Sequence, residues 1–256
     1  MQQQDVYVPP PSLFLAFTEM HRVLGEVLSL GLSRKALLRR APEGDGHAVM
    51  VLPGFLAGDR YNAALRRFLA ELGYVVYGWG QGQNLGPRDG VLEGLEERIT
   101  EIYAEHGAMS LVGHSLGGIF AREIARREPH MVRQVISLGS PFGEGRMTAS
   151  IPARLFTALN PPEELPIEEE LLSSAPPVPT TAIYSTGDGI VNWKTTYQAN
   201  GHAQTQSVRV RGSHCGMTFN PSIWYLIAQM LALPEGQWRR FEGAANCQWV
   251  YPAALV

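Results

Sequence analysis

The sequence predicts an α/β fold in which a mostly parallel central sheet is covered by helices on both faces. Short apolar runs rich in β-branched residues alternate with amphipathic helical patterns, and one sharp glycine-containing turn leads from such a run directly into a helix. The size of the chain agrees with this prediction. It has 256 residues, of which 45% are hydrophobic and 18% are charged, which suits one large domain with a sizeable core.

The alternation of strands and helices begins at residue 47 and continues to residue 231. Short apolar runs predict strands at 47–52, 74–77, 108–112, 132–138, 180–184 and 207–210. Apolar residues at helical spacing predict helices at 61–72, 91–106, 116–127 and 221–231. Ligands of such parallel sheets bind at the carboxyl ends of the strands. We therefore expect the functional residues in the loops that follow the strands.

The sequence Gly113-His114-Ser115-Leu116-Gly117 joins the third predicted strand to the helix after it. The pattern G-x-S-x-G is weak by itself, but between a strand and a helix it predicts a nucleophile elbow. So tight a turn requires small neighbours, and it raises the serine hydroxyl to a helix N-terminus, where N–H groups favour negative charge. Ser115 is therefore the predicted nucleophile. The competing interpretation is a glycine-rich turn with an idle serine.

A serine hydroxyl needs a base to take its proton, and His214 is the histidine best placed to do so. It follows the sixth predicted strand in a loop that leads to the last helix, whereas the alternative, His202, precedes that strand. Asp188 follows the fifth strand and is the predicted acid that orients the imidazole. The other interpretation of Asp188 is a plain Asp-Gly turn.

An oxyanion requires two backbone N–H donors. One is expected from Leu116, directly after the nucleophile, and the other from Phe55 in the loop after the first strand, with Leu56 as second choice. Apolar and aromatic residues nearby suggest an apolar acyl group, although such residues more often serve packing. The expected substrate contacts are Leu56, His114, Phe142 and Trp193.

These motifs together resemble the α/β-hydrolase superfamily, and within it the lipase/esterase branch, over roughly residues 47 to 235. The matching residues are the G-H-S-x-G sequence at 113–117, Asp188-Gly189 and His214, while Pro53 stands where many lipases have histidine. The resemblance implies cleavage of a carboxylic ester, either a small molecule or a lipid, through an acyl-enzyme with no metal or organic cofactor. An acyltransferase or thioesterase would use the same triad, and a non-catalytic binding module is a third interpretation.

Two segments interrupt the alternation. We expect residues 1–46 to form a helical extension packed on a hydrolase domain at 47–256, and residues 143–178 to form a short helical cap or lid. The helix at 12–40 has a polar face that includes Glu19 and Glu26, which favours simple docking on the domain over peripheral contact with a membrane. Its apolar stripe consists of Leu13, Phe17, Met20, Leu24 and Val27.

Composition argues against several other classes of protein. The net charge of −3 disfavours nucleic-acid binding. Nucleotide binding by the glycine-rich sequence at 78–86 is a minor alternative, because the G-x-G-x-x-G spacing is lacking. Cys215 and Cys247 are too few for a disulfide scaffold and do not have metal-ligand spacing. No signal peptide is visible, which predicts a cytoplasmic location, and the sequence leaves the oligomeric state open.

Overall fold

The computed structural model describes residues 6–161, 169–243 and 249–253. Its centre is a six-stranded sheet in the order β2-β1-β3-β4-β5-β6, in which every neighbouring pair is parallel. The predicted α/β fold is confirmed, and each predicted strand is present to within two residues at either end. The strands are β1 Ala48–Leu52, β2 Val75–Gly78, β3 Met109–His114, β4 Val132–Leu138, β5 Thr180–Tyr184 and β6 Thr205–Arg209.

Helices cover the sheet on both faces. Successive side chains of a strand point to opposite sides, so a strand of apolar residues has two faces to bury. In the fully buried β1, Met50 belongs to one apolar cluster with Phe120, and Val51 belongs to a second cluster with Trp224. Two buried faces explain the continuous apolar runs in the sequence. The α-helices in the described residues are α1 Leu13–Arg40, α2 Ala63–Glu71, α3 Val91–His106, α4 Leu116–Arg127, α5 Ala153–Leu159, α6 Glu169–Leu172 and α7 Pro221–Leu231.

Helix α1 has its apolar stripe turned outward. The helix begins where predicted, with Ser12 Oγ accepting a hydrogen bond from Leu15 N at 3.4 Å. The side chains of Leu13 and Phe17 are 74% and 77% exposed, whereas Glu19 is only 2% exposed. The prediction of an ordinary polar face for α1 is therefore wrong. That face lies against the domain because its carboxylates accept hydrogen bonds from two loops of the domain.

The segment between β4 and β5 contains α5 and α6, and residues 162–168 of it lie outside the described residues, as does Cys247. The Phe156 ring of α5 contacts the Phe55 ring edge-on, with centroids 5.5 Å apart. Arg122 of α4 donates to Ser174 O at 2.7 Å and so fastens the segment to the core. Among the described helices, none is both long enough and apolar enough to cross a membrane.

Candidate active site

Ser115 lies at the turn between β3 and α4 and has the backbone expected of a nucleophile elbow. Its φ of 51° and ψ of −120° lie in a region that side-chain-bearing residues rarely adopt. A Cβ on Gly113 would lie 2.4 Å from Gly117 O, and a Cβ on Gly117 would lie 2.4 Å from Leu52 O. Close backbone contacts therefore require both glycines of the motif. The Ser115 N–H donates to Leu138 O at 2.8 Å, which holds the turn to the end of β4.

Two backbone N–H groups beside Ser115 are available to bind an anion. Within the described part of the chain, neither the Phe55 N–H nor the Leu116 N–H donates a hydrogen bond. Leu116 is the first residue of α4, and the leading N–H groups of a helix have no partner inside it. Both residues line a cavity together with Ser115. The N–H of Leu56, the second choice as donor, is already engaged by Asn84 O at 2.7 Å.

Asp188 and His214 form a buried hydrogen-bonded pair. Asp188 Oδ2 lies 2.6 Å from His214 Nδ1, and both side chains are at most 5% exposed. The other oxygen, Oδ1, accepts hydrogen bonds from Ile190 N at 2.9 Å and Val191 N at 2.7 Å, so the carboxylate is fixed in orientation. Burial alone would lower the pKa of His214, but the charge and hydrogen bond of Asp188 raise this pKa above its ordinary value, with a further contribution from Glu19.

Ser115 and the Asp188–His214 pair lie at neighbouring strand ends, because the order β3-β4-β5-β6 brings their loops to one edge. A Cβ on Gly139, the residue after β4, would lie 3.1 Å from His214 Nδ1. Among the described residues, Ser115 Oγ forms no hydrogen bond with His214. Catalytic hydrogen bonds of this kind are often long without substrate and tighten only when substrate is bound. The alternative base, His202, donates instead to Pro176 O at 2.9 Å.

His114 supports the predicted base, His214, rather than lining the cavity. Its Nε2–H donates to the backbone oxygen of His214 at 3.0 Å, and the two imidazole centroids are 5.0 Å apart. Burial and the neighbouring His214 lower the pKa of His114 to about 3, so its ring is neutral. On its other side it stacks on Tyr61 at 5.8 Å. These contacts indicate that His114 positions the His214 backbone.

The cavity beside Ser115 is predominantly apolar and is partly walled by the segment between β4 and β5. Its volume of about 100 Å³ is several times the roughly 10–15 Å³ that one water molecule needs. Phe156 of α5 is one of the lining residues. The apolar lining includes Phe55, Ile119, Met147, Phe156, Leu172 and Val191.

None of the four side chains expected to contact substrate lines this cavity. Phe142 is buried under Arg122, whose guanidinium carbon lies 3.7 Å from the ring centroid. Trp193 stacks on Tyr184 with centroids 5.8 Å apart, and Leu56 is 43% exposed. His114, Phe142 and Trp193 therefore have packing or positioning partners away from the cavity. Leu56 is partly exposed, and the four substrate contacts stay a prediction.

Comparison with solved structures identifies the fold, whereas no protein-family model and no curated protein matches the chain. One of the metagenome-derived lipolytic enzymes LipS and LipT is similar with a TM-score of 0.57 and 17% identity, covering 74% of this chain and 93% of that one. Aspergillus fumigatus lipase B is similar with a TM-score of 0.55 and 18% identity, covering 79% of this chain and 58% of that one. An esterase domain from a Rhodothermus marinus protein is similar with a TM-score of 0.52 and 17% identity, covering 75% of this chain and 88% of that one. The chain has the α/β-hydrolase fold.

Within this fold, Glu19 of α1 bridges the two loops that carry the predicted acid and base. Its Oε2 accepts a hydrogen bond from Gly189 N at 3.1 Å, and its Oε1 accepts one from Cys215 N at 2.8 Å. The two donors are the residues directly after Asp188 and His214. One buried carboxylate therefore fixes the spacing between the backbones of both loops.

Two further charged residues of α1 extend this bridge. Arg22 forms an ion pair with Glu19 at 2.9 Å and donates to Gly187 O. One turn further on, Glu26 Oε1 accepts from Ser213 N at 3.1 Å and from Asn220 Nδ2 at 2.9 Å. Burial raises the pKa of Glu26 despite these hydrogen bonds. We call Glu19, Arg22 and Glu26 the α1 clamp.

The sequence carries an ambiguous signal for the α1 clamp. Glu19, Arg22 and Glu26 recur at helical spacing on one side of α1, which is equally typical of a solvated face. Only the position of the helix against the two loops distinguishes the two cases. In the described residues, no group of three or more His, Cys, Asp or Glu side chains is arranged to hold a metal ion.

Proposed function

We propose that the protein is a serine hydrolase that cleaves carboxylic esters through an acyl-enzyme formed on Ser115. The observation that carries the proposal is the 2.6 Å hydrogen bond between Asp188 and His214, at the same sheet edge as a serine held at positive φ. A carboxylate on Nδ1 holds the imidazole in the tautomer whose Nε2 accepts a proton. Burying two ionisable groups is costly and contributes little to stability, which favours a functional role for this pair.

Acylation would begin with attack of Ser115 Oγ on the ester carbonyl carbon, while His214 Nε2 takes the hydroxyl proton. Asp188 stabilises the resulting imidazolium, and the negative carbonyl oxygen accepts hydrogen bonds from the N–H groups of Phe55 and Leu116. When the tetrahedral intermediate collapses, the bond to the alcohol oxygen breaks and His214 returns the proton to that oxygen. The alcohol leaves and the acyl group stays on Ser115 Oγ.

Deacylation would repeat these steps with water as the nucleophile. His214 takes a proton from the water, the new oxyanion uses the same two N–H groups, and the carboxylic acid leaves as Ser115 regains its proton. An acyltransferase or thioesterase would share the acyl-enzyme and differ in the acceptor or in the leaving group. The apolar lining of the cavity, with Phe156 and Leu172 among its residues, supports an apolar acyl group.

The test is hydrolysis of p-nitrophenyl esters from acetate to palmitate by wild-type protein and Ser115→Ala. We expect turnover of at least one ester, with kcat reduced on the order of 10⁶-fold in the variant, as for other triad serines. Loss of only a small fraction of turnover in Ser115→Ala would overturn the proposal. Addition of alcohols or thiols then separates the activities, because transfer products exceeding the free acid would identify an acyltransferase.

A further inference from the structure

Helix α1 exposes a long apolar surface. Large apolar side chains that are 41–90% exposed recur along it at a spacing that places them on one side of the helix. A monomeric protein rarely leaves so much contiguous apolar surface in water, so a surface of this kind usually marks an interaction site. We call these residues the apolar face: Leu13, Phe14, Phe17, Met20, Leu24, Val27, Leu28 and Leu32.

The α1 clamp keeps the apolar face directed outward. Rotation of the helix to bury this face would withdraw Glu19 from the N–H groups of Gly189 and Cys215. It would also withdraw Glu26 from Ser213 N. Buried N–H groups without partners are unfavourable, so the outward orientation is the stable one.

The charges of α1 are divided between its two sides. Lys35 and Arg39 extend the apolar face, since each lies two helical turns beyond one of its members, Leu28 and Leu32. Both cations are exposed, and within the described part of the chain neither forms a salt bridge. Both carboxylates of α1 belong to the clamp on the opposite side. An apolar face with cations and no anions is typical of a helix that lies at the surface of an anionic membrane.

The segment just before α1 is tied to two loops that line the cavity. Val8 N donates to Thr148 Oγ1 at 3.2 Å, and this hydroxyl donates back to Val8 O at 3.0 Å. Asn192 Nδ2 donates to Pro9 O at 2.8 Å. Thr148 and Asn192 each directly follow a residue of the cavity lining. The apolar face therefore begins close to the candidate active site.

We propose that the apolar face of α1 docks the protein on an anionic lipid surface, with the helix lying along that surface. A second copy of the chain is a poorer partner, because it would set Lys35 and Arg39 against apolar or cationic residues with no carboxylate to neutralise them. Docking is a binding property separate from hydrolysis. Its consequence, delivery of a lipid ester to the nearby cavity, rests on the proposed function.

The experiment is co-sedimentation of the full chain with vesicles of phosphatidylcholine and phosphatidylglycerol in equal amounts, and with phosphatidylcholine alone. The apolar variant combines Phe14→Ser, Phe17→Ser and Leu24→Ser. The matched control combines Val75→Ser and Trp249→Ser, which remove exposed apolar side chains outside α1. All of these side chains are exposed. Circular dichroism melts are to check that each variant folds.

We expect wild type and control to bind the anionic vesicles, and the apolar variant to bind at least about tenfold more weakly. A second variant, Lys35→Gln with Arg39→Gln, should bind about fivefold more weakly for each charge removed. It should also lose the preference for anionic over zwitterionic vesicles. The second variant tests the choice of lipid without altering the apolar face.

Three results would overturn docking: no binding of wild type to anionic vesicles, equal binding by the apolar variant, or no effect of the charge variant. If wild type instead self-associates in sedimentation velocity and the apolar variant does not, the partner is a second copy and the lipid proposal is also overturned. Hydrolysis of the p-nitrophenyl ester series is measured separately, without vesicles. Vesicle binding without hydrolysis contradicts only the proposed function, and hydrolysis without vesicle binding contradicts only docking.

Discussion

The nucleophile elbow and the α1 clamp both hold predicted catalytic residues, but they do so by different physical means. The elbow is local: Ser115 is held by backbone contacts among a few neighbouring residues and by glycines that leave no room for a Cβ. The clamp is long-range and polar. Glu19 and Glu26 reach loops 170–196 positions away in sequence. Steric exclusion therefore secures the predicted nucleophile, and buried carboxylates secure the loops of the predicted acid and base.

After the loss of Ser115 itself, the largest effect is expected at the hydrogen bond between Asp188 and His214, which joins the loops that the clamp holds. Asp188→Asn should lower kcat about 10⁴-fold, since an amide favours the wrong imidazole tautomer. The retained Oδ1 still accepts from Ile190 N and Val191 N, so the protein should remain folded. Ester turnover and a thermal melt measure both effects. A loss below about tenfold would remove Asp188 from the triad.

The elbow should be the region most sensitive to added volume. Gly117→Ala sets a Cβ 2.4 Å from Leu52 O, and we expect a loss of about 1–3 kcal/mol in the free energy of unfolding. Because displacement of the nucleophile is costly, kcat should fall about 100-fold. Gly25→Ala is the matched control in α1, since its Cβ meets nothing within 4 Å. Urea unfolding should show that Gly25→Ala is no less stable than wild type, and equal behaviour of the two variants would contradict the steric account.

The clamp should respond to the loss of a single carboxylate oxygen. Glu19→Gln presents an amide NH₂ to the N–H of either Gly189 or Cys215, and the unpaired donor should lower the free energy of unfolding by about 1–3 kcal/mol. Glu26→Gln is the control, since its Oε1 still accepts from Ser213 N and its NH₂ can donate to Ser213 Oγ. Urea unfolding should therefore rank Glu19→Gln as the less stable variant. The opposite ranking would argue against the bridge.

The pH dependence of turnover should also report on the clamp. The charged groups that act on His214 are Asp188 and Glu19, and the neutral His114 ring lies beside it. Their net effect raises the pKa of His214 above 6.5. His214 acts as a base only when it is neutral, so kcat/KM should rise with pH through a value above 6.5. Glu19→Gln removes a negative charge and should move this rise to lower pH. An unchanged pH profile would limit Glu19 to a structural role.

The smallest effect is expected at the far end of α1, where Arg34 pairs with Glu71 at 2.6 Å on the surface. Arg34→Ala should leave kcat unchanged and the melting temperature almost unchanged, because exposed ion pairs contribute little to stability. A loss of activity as large as that of Glu19→Gln would show that any weakening of α1 affects the site. The distinction between clamp and surface pair would then fail.

The parts of the fold and site that could be predicted from sequence depend on short-range rules. Apolar periodicity fixed the positions of the helices and strands, and the strand–turn–helix context singled out Ser115. The order of Asp188 and His214 behind later strands follows from the topology. In the structure these two form a hydrogen-bonded pair, whereas Ser115 shares the sheet edge with them without a hydrogen bond to His214. The triad therefore remains a proposal.

The rest depends on tertiary contacts that no local pattern encodes. Amphipathic spacing in α1 shows that the helix has two faces, but it does not show which face packs on the domain. The polar face does so because its carboxylates accept hydrogen bonds from the loops of the domain. Phe142 looked like a substrate contact because aromatic residues near a site often are. Its ring instead covers the buried Arg122, a cation whose burial the sequence does not indicate. Stacking and desolvation of this kind appear only once the chain has folded.

The most direct test of the central claim, that Ser115 is an activated nucleophile, is covalent labelling with an alkyl fluorophosphonate followed by intact mass and peptide mapping. Attack by the serine oxygen on phosphorus displaces fluoride and leaves a stable ester that mimics the tetrahedral intermediate. We expect one adduct per chain, located on Ser115 and absent from Ser115→Ala. An unlabelled protein, or an adduct on another residue that persists in Ser115→Ala, would contradict the account.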